Sequence, residues 1–293
     1  MADEVYQAPI PPKVSVILAV RNQLAELRRT IVALENSHDR EQLEILVVDR
    51  ASDDGTSALD EEFPSVTMLR LPHDFGNTRA MNIATRTAKA ETLFYLSPGV
   101  EVFPETVMAL AERLQNDAAS VALCPLLVDS DGQPVPQILP VPDPAFFREA
   151  AERLPAKSVP ATNSETVDAA YPGSDAILVR RHFVAGMNYF DERLGHHWAD
   201  ADLALQIRRA GRKIRICTGI RALWDPPMAT PPNDIPHQAD RILGAAVLLG
   251  KYYGFFSGFS FRWGAILGAL LSLKLSLCGA LLSDRKLDGA DAT

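Results

Sequence analysis

Carboxylates at the ends of apolar runs are the first chemistry this chain offers. Asp49 closes the run ILVV and opens into ASDDGT, where Asp53 and Gly55 are turn formers and Asp49 either bonds its own turn or stands as a fixed acceptor. Asp200 and Asp202 begin a helix-like stretch, where a carboxylate caps free N–H groups or is placed to take a proton. His196 and His197 precede them, but adjacent histidines project in different directions and make a poor pair of metal ligands. Fixed cations come from Arg79 in NTRAMN and from Arg180 and Arg181 in ILVRR. A basic stretch, Arg208, Arg209, Arg212, Lys213 and Arg215, reads as a solvated helix end or as a surface for phosphates or anionic lipid. Cys124, Cys217 and Cys278 lie far apart in apolar segments, as buried thiols of a reducing compartment do.

The elements that must position these groups alternate between β-branched runs and amphipathic stretches, the pattern of a parallel sheet with crossover helices. Strands are expected at Val14 to Val20, Glu44 to Val48, Val66 to Arg70, Thr92 to Leu96, Ala176 to Val179 and Ile214 to Cys217. Helices are expected from Leu24 past Leu34, from about Thr78 to Ala88, near Phe146 to Arg153, and from about Ala201 to Gly211. In an open parallel sheet ligands sit beyond the carboxyl ends of the strands, so Val20 to Asn22, Asp49 to Asp54 and Ser97 to Val100 should converge. That makes Val20, Asn22, Asp49, Ser97 and Gly99 candidate ligand-binding residues.

The chain has 293 residues, 47% hydrophobic and 23% charged, enough for one large α/β domain with appendages. A formal charge of −8 excludes a general nucleic-acid binder, which needs clustered surplus Lys and Arg. The expected organisation is a flexible 1–12, a domain over 13–225 with an irregular, proline-rich excursion at 129–172, a linker at 226–240, an apolar helical segment at 241–286 and a tail at 287–293. The start, MADEVYQAPIPPK, lacks the basic and apolar runs of a signal peptide, which points to the cytoplasm.

The segments VSVILAVRN, EILVVDRASDDGT, NTRAMNIA, LFYLSPGVEV, GSDAILVRRHF and FDERLGHHWADADLALQIRRAG, in this order, resemble the family 2 glycosyltransferases from about Val14 to Arg221. The resemblance implies a GT-A fold, a Rossmann-like, mostly parallel sheet with flanking helices. It implies a nucleotide-diphosphate sugar as donor and a glycan or lipid-linked acceptor. It also makes Asp49 the acceptor for the donor's base, places Arg79 near the nucleotide, and makes Asp200, with Asp202 beside it, the base that deprotonates the acceptor hydroxyl in an inverting transfer.

The pattern breaks where the family binds a divalent cation. Ser97, Pro98 and Gly99 stand in place of an Asp-x-Asp, Ala199 replaces a Glu, and Trp224 replaces a histidine. Magnesium or manganese would then lack its expected ligands, with Glu101 or Asp225 as displaced carboxylates. Arg180, Arg181 and Arg79 are the cations left to offset a leaving diphosphate. Two readings stay open: an inverting transferase, or a catalytically silent module that binds nucleotide, glycan or a partner transferase.

From Ile242 the chain turns strongly apolar. WGAILGALLSLKLSLCGALL is long enough to span a bilayer, but Lys274 interrupts it. With Tyr252, Tyr253, Trp263 and the phenylalanines of 255–261, it is expected to lie on the inner membrane face. The alternative is a helical hairpin packed on the domain or in a homodimer interface.

Overall fold

Val14–Val20 (β1) sends alternate residues to opposite faces. Ile17 enters one core, and Val16 and Leu18 enter the other. Leu43–Asp49 (β2) does the same, with Leu46 and Val48 on one side and Ile45 and Val47 on the other. A sheet covered on both faces needs these near-continuous apolar runs. The structure is a computed structural model that describes residues 11–148, 156–225 and 235–283.

The remaining strands are Val66–Arg70 (β3), Thr92–Leu96 (β4), Glu101–Val102 (β5), Ser120–Val128 (β6), Thr166–Asp168 (β7), Ala176–Arg180 (β8) and Lys213–Leu223 (β9). They form one sheet in the order β3-β2-β1-β4-β8-β6-β9-β5, with β7 also paired to β9. Strands β1 to β4 are parallel, and β8 runs antiparallel between β4 and β6. The start of β8 therefore lies beside the end of β4, with Leu96 opposite Ala176.

Leu24–Glu35 (α1) and Thr106–Asn116 (α4) cover one face, and Asn77–Thr87 (α3), Arg181–Gly186 (α6) and Ala199–Arg209 (α7) the other. The short α2 (Leu59–Glu62) precedes β3, and α5 (Pro144–Arg148) lies in the expected excursion. The rest of the helix expected to Arg153 falls outside the described residues. The excursion is more ordered than its prolines suggest, since β7 joins the sheet within it. Gln137 is buried there: its side-chain oxygen accepts from Leu127 N–H and its amide donates to Pro125 C=O, satisfying β6 where proline breaks the ladder.

Ile235–Tyr253 (α8) begins inside the expected linker and packs Ala245, Leu248 and Leu249 into the main core. The long apolar segment is two helices, Phe255–Leu271 (α9) and Leu275–Leu282 (α10), broken where Leu273 turns to a left-handed φ of 56° and Lys274 starts α10. Among the described residues no helix is long and apolar enough to cross a membrane. Gly258 lets α9 cross α8 closely, because a Cβ there would strike the Ala246 carbonyl.

Candidate functional site

The three segments expected to converge do so at the carboxyl ends of β1, β2 and β4. Arg50 N–H donates to Val20 C=O (2.9 Å). Asn22, at a left-handed φ of 54°, accepts from Asp53 N–H (2.9 Å) and receives the Ser52 hydroxyl as an acceptor for its own N–H (3.0 Å). Asp49 is buried and accepts Ser52 N–H at 3.1 Å through Oδ1. Part of its hydrogen-bonding capacity thus goes to its own turn. Asp54 caps α1 from outside by accepting Leu24 N–H (3.0 Å).

Ser97 to Val100 form a type II turn. Val100 N–H donates to Ser97 C=O (3.1 Å), Pro98 holds the second position, and Gly99 takes the positive φ of 96° that the third requires. The turn is held by the Thr30 hydroxyl, which accepts Gly99 N–H (2.8 Å), and by Asp175, whose backbone carbonyl accepts Ser97 N–H (2.8 Å) and whose Oδ1 accepts the Ser97 hydroxyl (3.1 Å). The expected substitutes for a metal ligand are engaged elsewhere. Glu101 pairs with Arg29 (3.4 Å), and Asp225 accepts Ser130 N–H (3.0 Å). Among the described residues no group of three His, Cys, Asp or Glu side chains could hold a metal ion. The residues present do not fit the divalent cation that the resemblance implies.

Asp200 sits in the first turn of α7. It accepts the Tyr171 hydroxyl through Oδ2 (2.9 Å) and Ala201 N–H through Oδ1 (2.8 Å). Burial raises its pKa above the ordinary carboxylate range, against the pull of these bonds. Burial also pushes Asp175 up to about 6, with the Ser97 bond opposing and the charge of Asp200 adding to the rise. Asp202 points the other way. It is fully buried, ion-paired to Lys251 Nζ (2.8 Å) and bonded by the Tyr252 hydroxyl (2.6 Å), so the expected second acid of the base segment anchors α8 instead.

The loop before α7 is held from two sides. Gly195 C=O accepts both Thr78 N–H (3.2 Å) and its hydroxyl (2.5 Å), and Asp240 on α8 accepts His196 N–H (3.0 Å). Only glycine fits at 195, where φ is 65° and a Cβ would run into the Asp240 carboxylate. Burial, with Arg241 and His237 nearby, lowers His197 to about 4.

A cationic junction ties this loop to the strand ends. Arg50 Nη1 donates to Asp74 Oδ1 (3.1 Å) and lies 3.0 Å from His196 Nδ1, while Arg21 Nη1 donates to Asp74 Oδ2 (2.9 Å). Burial would raise the carboxyl of Asp74, but Arg50, His196 and its hydrogen bonds hold it below its usual value. Arg79 lies 4.6 Å over the Phe75 ring on the first turn of α3, with about half its side chain exposed. The other two cations are misplaced. Arg180 pairs opposite Thr92, at the far end of β4, and donates to Leu114, Asp117 and Ser120 carbonyls, with Arg181 N–H bonded to Glu91 C=O. In the basic stretch, Arg215 pairs with Asp117 and Asp168, and Lys213 pairs with Asp168.

Tyr171 and Asp74 lie outside the quoted segments, and Asp175, Arg50 and Arg21 lie within them but were given no role of their own. The one signal available was an acid at the mouth of the apolar run AILV, where a structural strand would not choose a charge.

A mixed sheet whose parallel strands end in a polar crevice, with an acid entering from a helix beyond an antiparallel strand, defines a GT-A fold. Solved structures agree on the fold. GalNAc-T7, crystallised with UDP, GalNAc and Mn2+, superposes with a TM-score of 0.59 at 19% identity over 73% of this chain and 44% of its own. Residues 1–349 of S. aureus TarS superpose at 0.57 with 18% identity over 82% and 66%, and their UDP-GlcNAc complex at 0.60 with 16% identity over 82% and 67%. This chain thus spans from under half to about two thirds of those chains. Residues 15–156 match the model of glycosyl transferase family 2. No curated protein matches it in sequence.

Proposed function

We propose that this protein transfers a sugar from a nucleotide-diphosphate donor to a glycan or lipid-linked acceptor with inversion, and that Asp200 is the general base. The observation that carries the reading is a partly buried Asp200 of raised basicity beside the crevice of a domain that matches the family 2 model. The acceptor hydroxyl gives its proton to Asp200 as its oxygen bonds to the anomeric carbon. The anomeric carbon–oxygen bond to phosphate breaks, and its electron pair leaves on the diphosphate. Asp49, beside Val20 and Asn22, is the acceptor for the base. Arg21 and Arg79 offset diphosphate charge, with Ser97 and Gly99 in the adjoining turn. The ligands in the GalNAc-T7 and TarS complexes make a UDP-sugar the first donor to try.

The Ser97–Val100 turn favours a second reading, a silent module that binds the same donor or a partner transferase. Calorimetry with UDP-, GDP- and dTDP-sugars, with and without manganese, followed by turnover assays, separates the two. The expected result is micromolar to millimolar binding of one donor, unaffected by manganese, with turnover. Binding without turnover across acceptors selects the silent module, and manganese-dependent tightening overturns the metal assignment.

We also infer that the protein rests on the inner face of the membrane through α9 and α10. Phe256 is 81% exposed, Trp263 50% and Leu273 81%, and Phe255 stacks on Phe259 within the same patch. Burying each of Phe256 and Trp263 in lipid is worth about 1–2 kcal/mol, so Phe256→Ser with Trp263→Ser should weaken anionic-vesicle binding more than about tenfold. Unchanged flotation would refute this. Dimers in ultracentrifugation without vesicle binding would assign the face to a second copy.

A further inference from the structure

The fold divides the basic stretch that runs from α7 into β9. Lys213 and Arg215 pair with Asp168 and Asp117, and Arg212 donates to Ala118 C=O (3.2 Å). Arg208 and Arg209 are exposed at the last turn of α7, and among the described residues neither forms an ion pair. They line a cavity of about 450 Å³ together with Tyr252 and Tyr253 of α8 and Asp143 of the excursion. Arg209 lies 5.1 Å over the Tyr252 ring, whose hydroxyl is fixed on Asp202 (2.6 Å), so an aromatic wall holds one guanidinium in place. The acid in the wall, Asp143, accepts Phe146 N–H (2.7 Å) at the start of α5. From this wall the chain passes directly into the apolar helices: Gly254, at a φ of 95°, follows Tyr253 and starts α9, where Phe255 and Phe256 are exposed. A helix C-terminus draws cations through its dipole, but that needs neither a cavity nor an aromatic wall.

We propose that this cavity is a headgroup site for an anionic phospholipid, with the guanidiniums of Arg208 and Arg209 on its phosphate. The proposal rests on the membrane reading of α9 and α10 and deepens it, since it supplies the polar contact beside their apolar face. A guanidinium meets two phosphate oxygens with parallel N–H donors, which a lysine ammonium does not. Helix α7 carries Asp200 in its first turn and Arg209 at its end, so a headgroup bound at one end fixes the helix that holds the base about 14 Å away.

The test floats the full chain with vesicles of phosphatidylcholine alone and of phosphatidylcholine mixed with phosphatidylglycerol. Separately, the arginine Nε–H signals are followed by NMR on titration with a water-soluble, short-chain phosphatidylglycerol and with inorganic phosphate. Wild type should prefer the anionic vesicles, and Arg208→Gln with Arg209→Gln should weaken that preference about 30-fold, the factor that two cations supply near such a surface. Arg208→Lys with Arg209→Lys keeps the charge and should still lose about fivefold, as a forfeited hydrogen bond does. Full retention in the lysine variant reveals diffuse attraction and overturns the site. Glutamine variants that melt lower but keep the anionic preference confine the pair to the helix end, which also overturns it. The short-chain lipid should shift the Arg208 and Arg209 signals at lower concentration than inorganic phosphate, and equal response to both overturns the lipid assignment. Such shifts in a chain that floats with no vesicle sustain the site and sink the membrane reading. Flotation that depends on Phe256 and Trp263 but is equal for both vesicle types does the reverse.

Discussion

Asp200→Asn is expected to lower transfer by about 10²- to 10⁴-fold while leaving donor affinity unchanged. The amide is nearly isosteric: its oxygen can keep Ala201 N–H, and its NH2 can donate to the Tyr171 hydroxyl oxygen, so the loss is that of the proton acceptor. Stability supplies the control. An acid whose folded pKa is raised contributes stability that is present below its unfolded pKa and is lost as pH rises through the folded value. At neutral pH Asp200 is therefore a burden on the fold, and Asp200→Asn should melt no lower than wild type. Wild-type turnover should fade on acidification at a pH above the ordinary carboxylate range. Normal turnover in the variant would remove Asp200 from the mechanism, whereas a lower melting temperature would make the loss structural.

Lys251→Met should cost about 3–5 kcal/mol of stability, because it takes from the fully buried carboxylate of Asp202 the ammonium that lies 2.8 Å from it. The pair joins α7 to α8, and Lys251 also lies 3.7 Å from Asp191, at the head of the loop that leads to Asp200. Loosening α8 should therefore weaken catalysis as well as folding. Adding Asp202→Asn removes that buried charge and should recover much of the loss, since replacing both members of a buried pair is far less costly than removing one. Denaturant unfolding of the single and double variants measures this. Equal midpoints for Lys251→Met and wild type would show that the pair holds nothing.

Much of the frame was legible because it is written locally. The runs Val14 to Val20, Val66 to Arg70 and Thr92 to Leu96 announced strands residue for residue, since a strand covered on both faces must be continuously apolar. The convergence of Val20, Asp49 and Ser97 followed from parallel topology alone. Elements α4 and β6 were not foreseen. The break at Leu273 was not either, because hydropathy averages over a segment and does not register a single left-handed residue.

By itself, the sequence determined the α/β class, the place of the crevice, the family likeness and the loss of carboxylates at 97–99. Each of these depends on residue order and period, which are properties of neighbours in the chain. Only the tertiary structure decided what each charge does. Asp200 and Asp202 are two residues apart, yet one turns to Tyr171 and the other to Lys251 on a helix nearly fifty residues away. Arg180 resembled a phosphate ligand until the antiparallel direction of β8 carried it to the wrong end of the sheet, and the same reversal brought Asp175 to the right one. A side chain's partner is fixed by packing across elements, and spacing along the chain does not encode it.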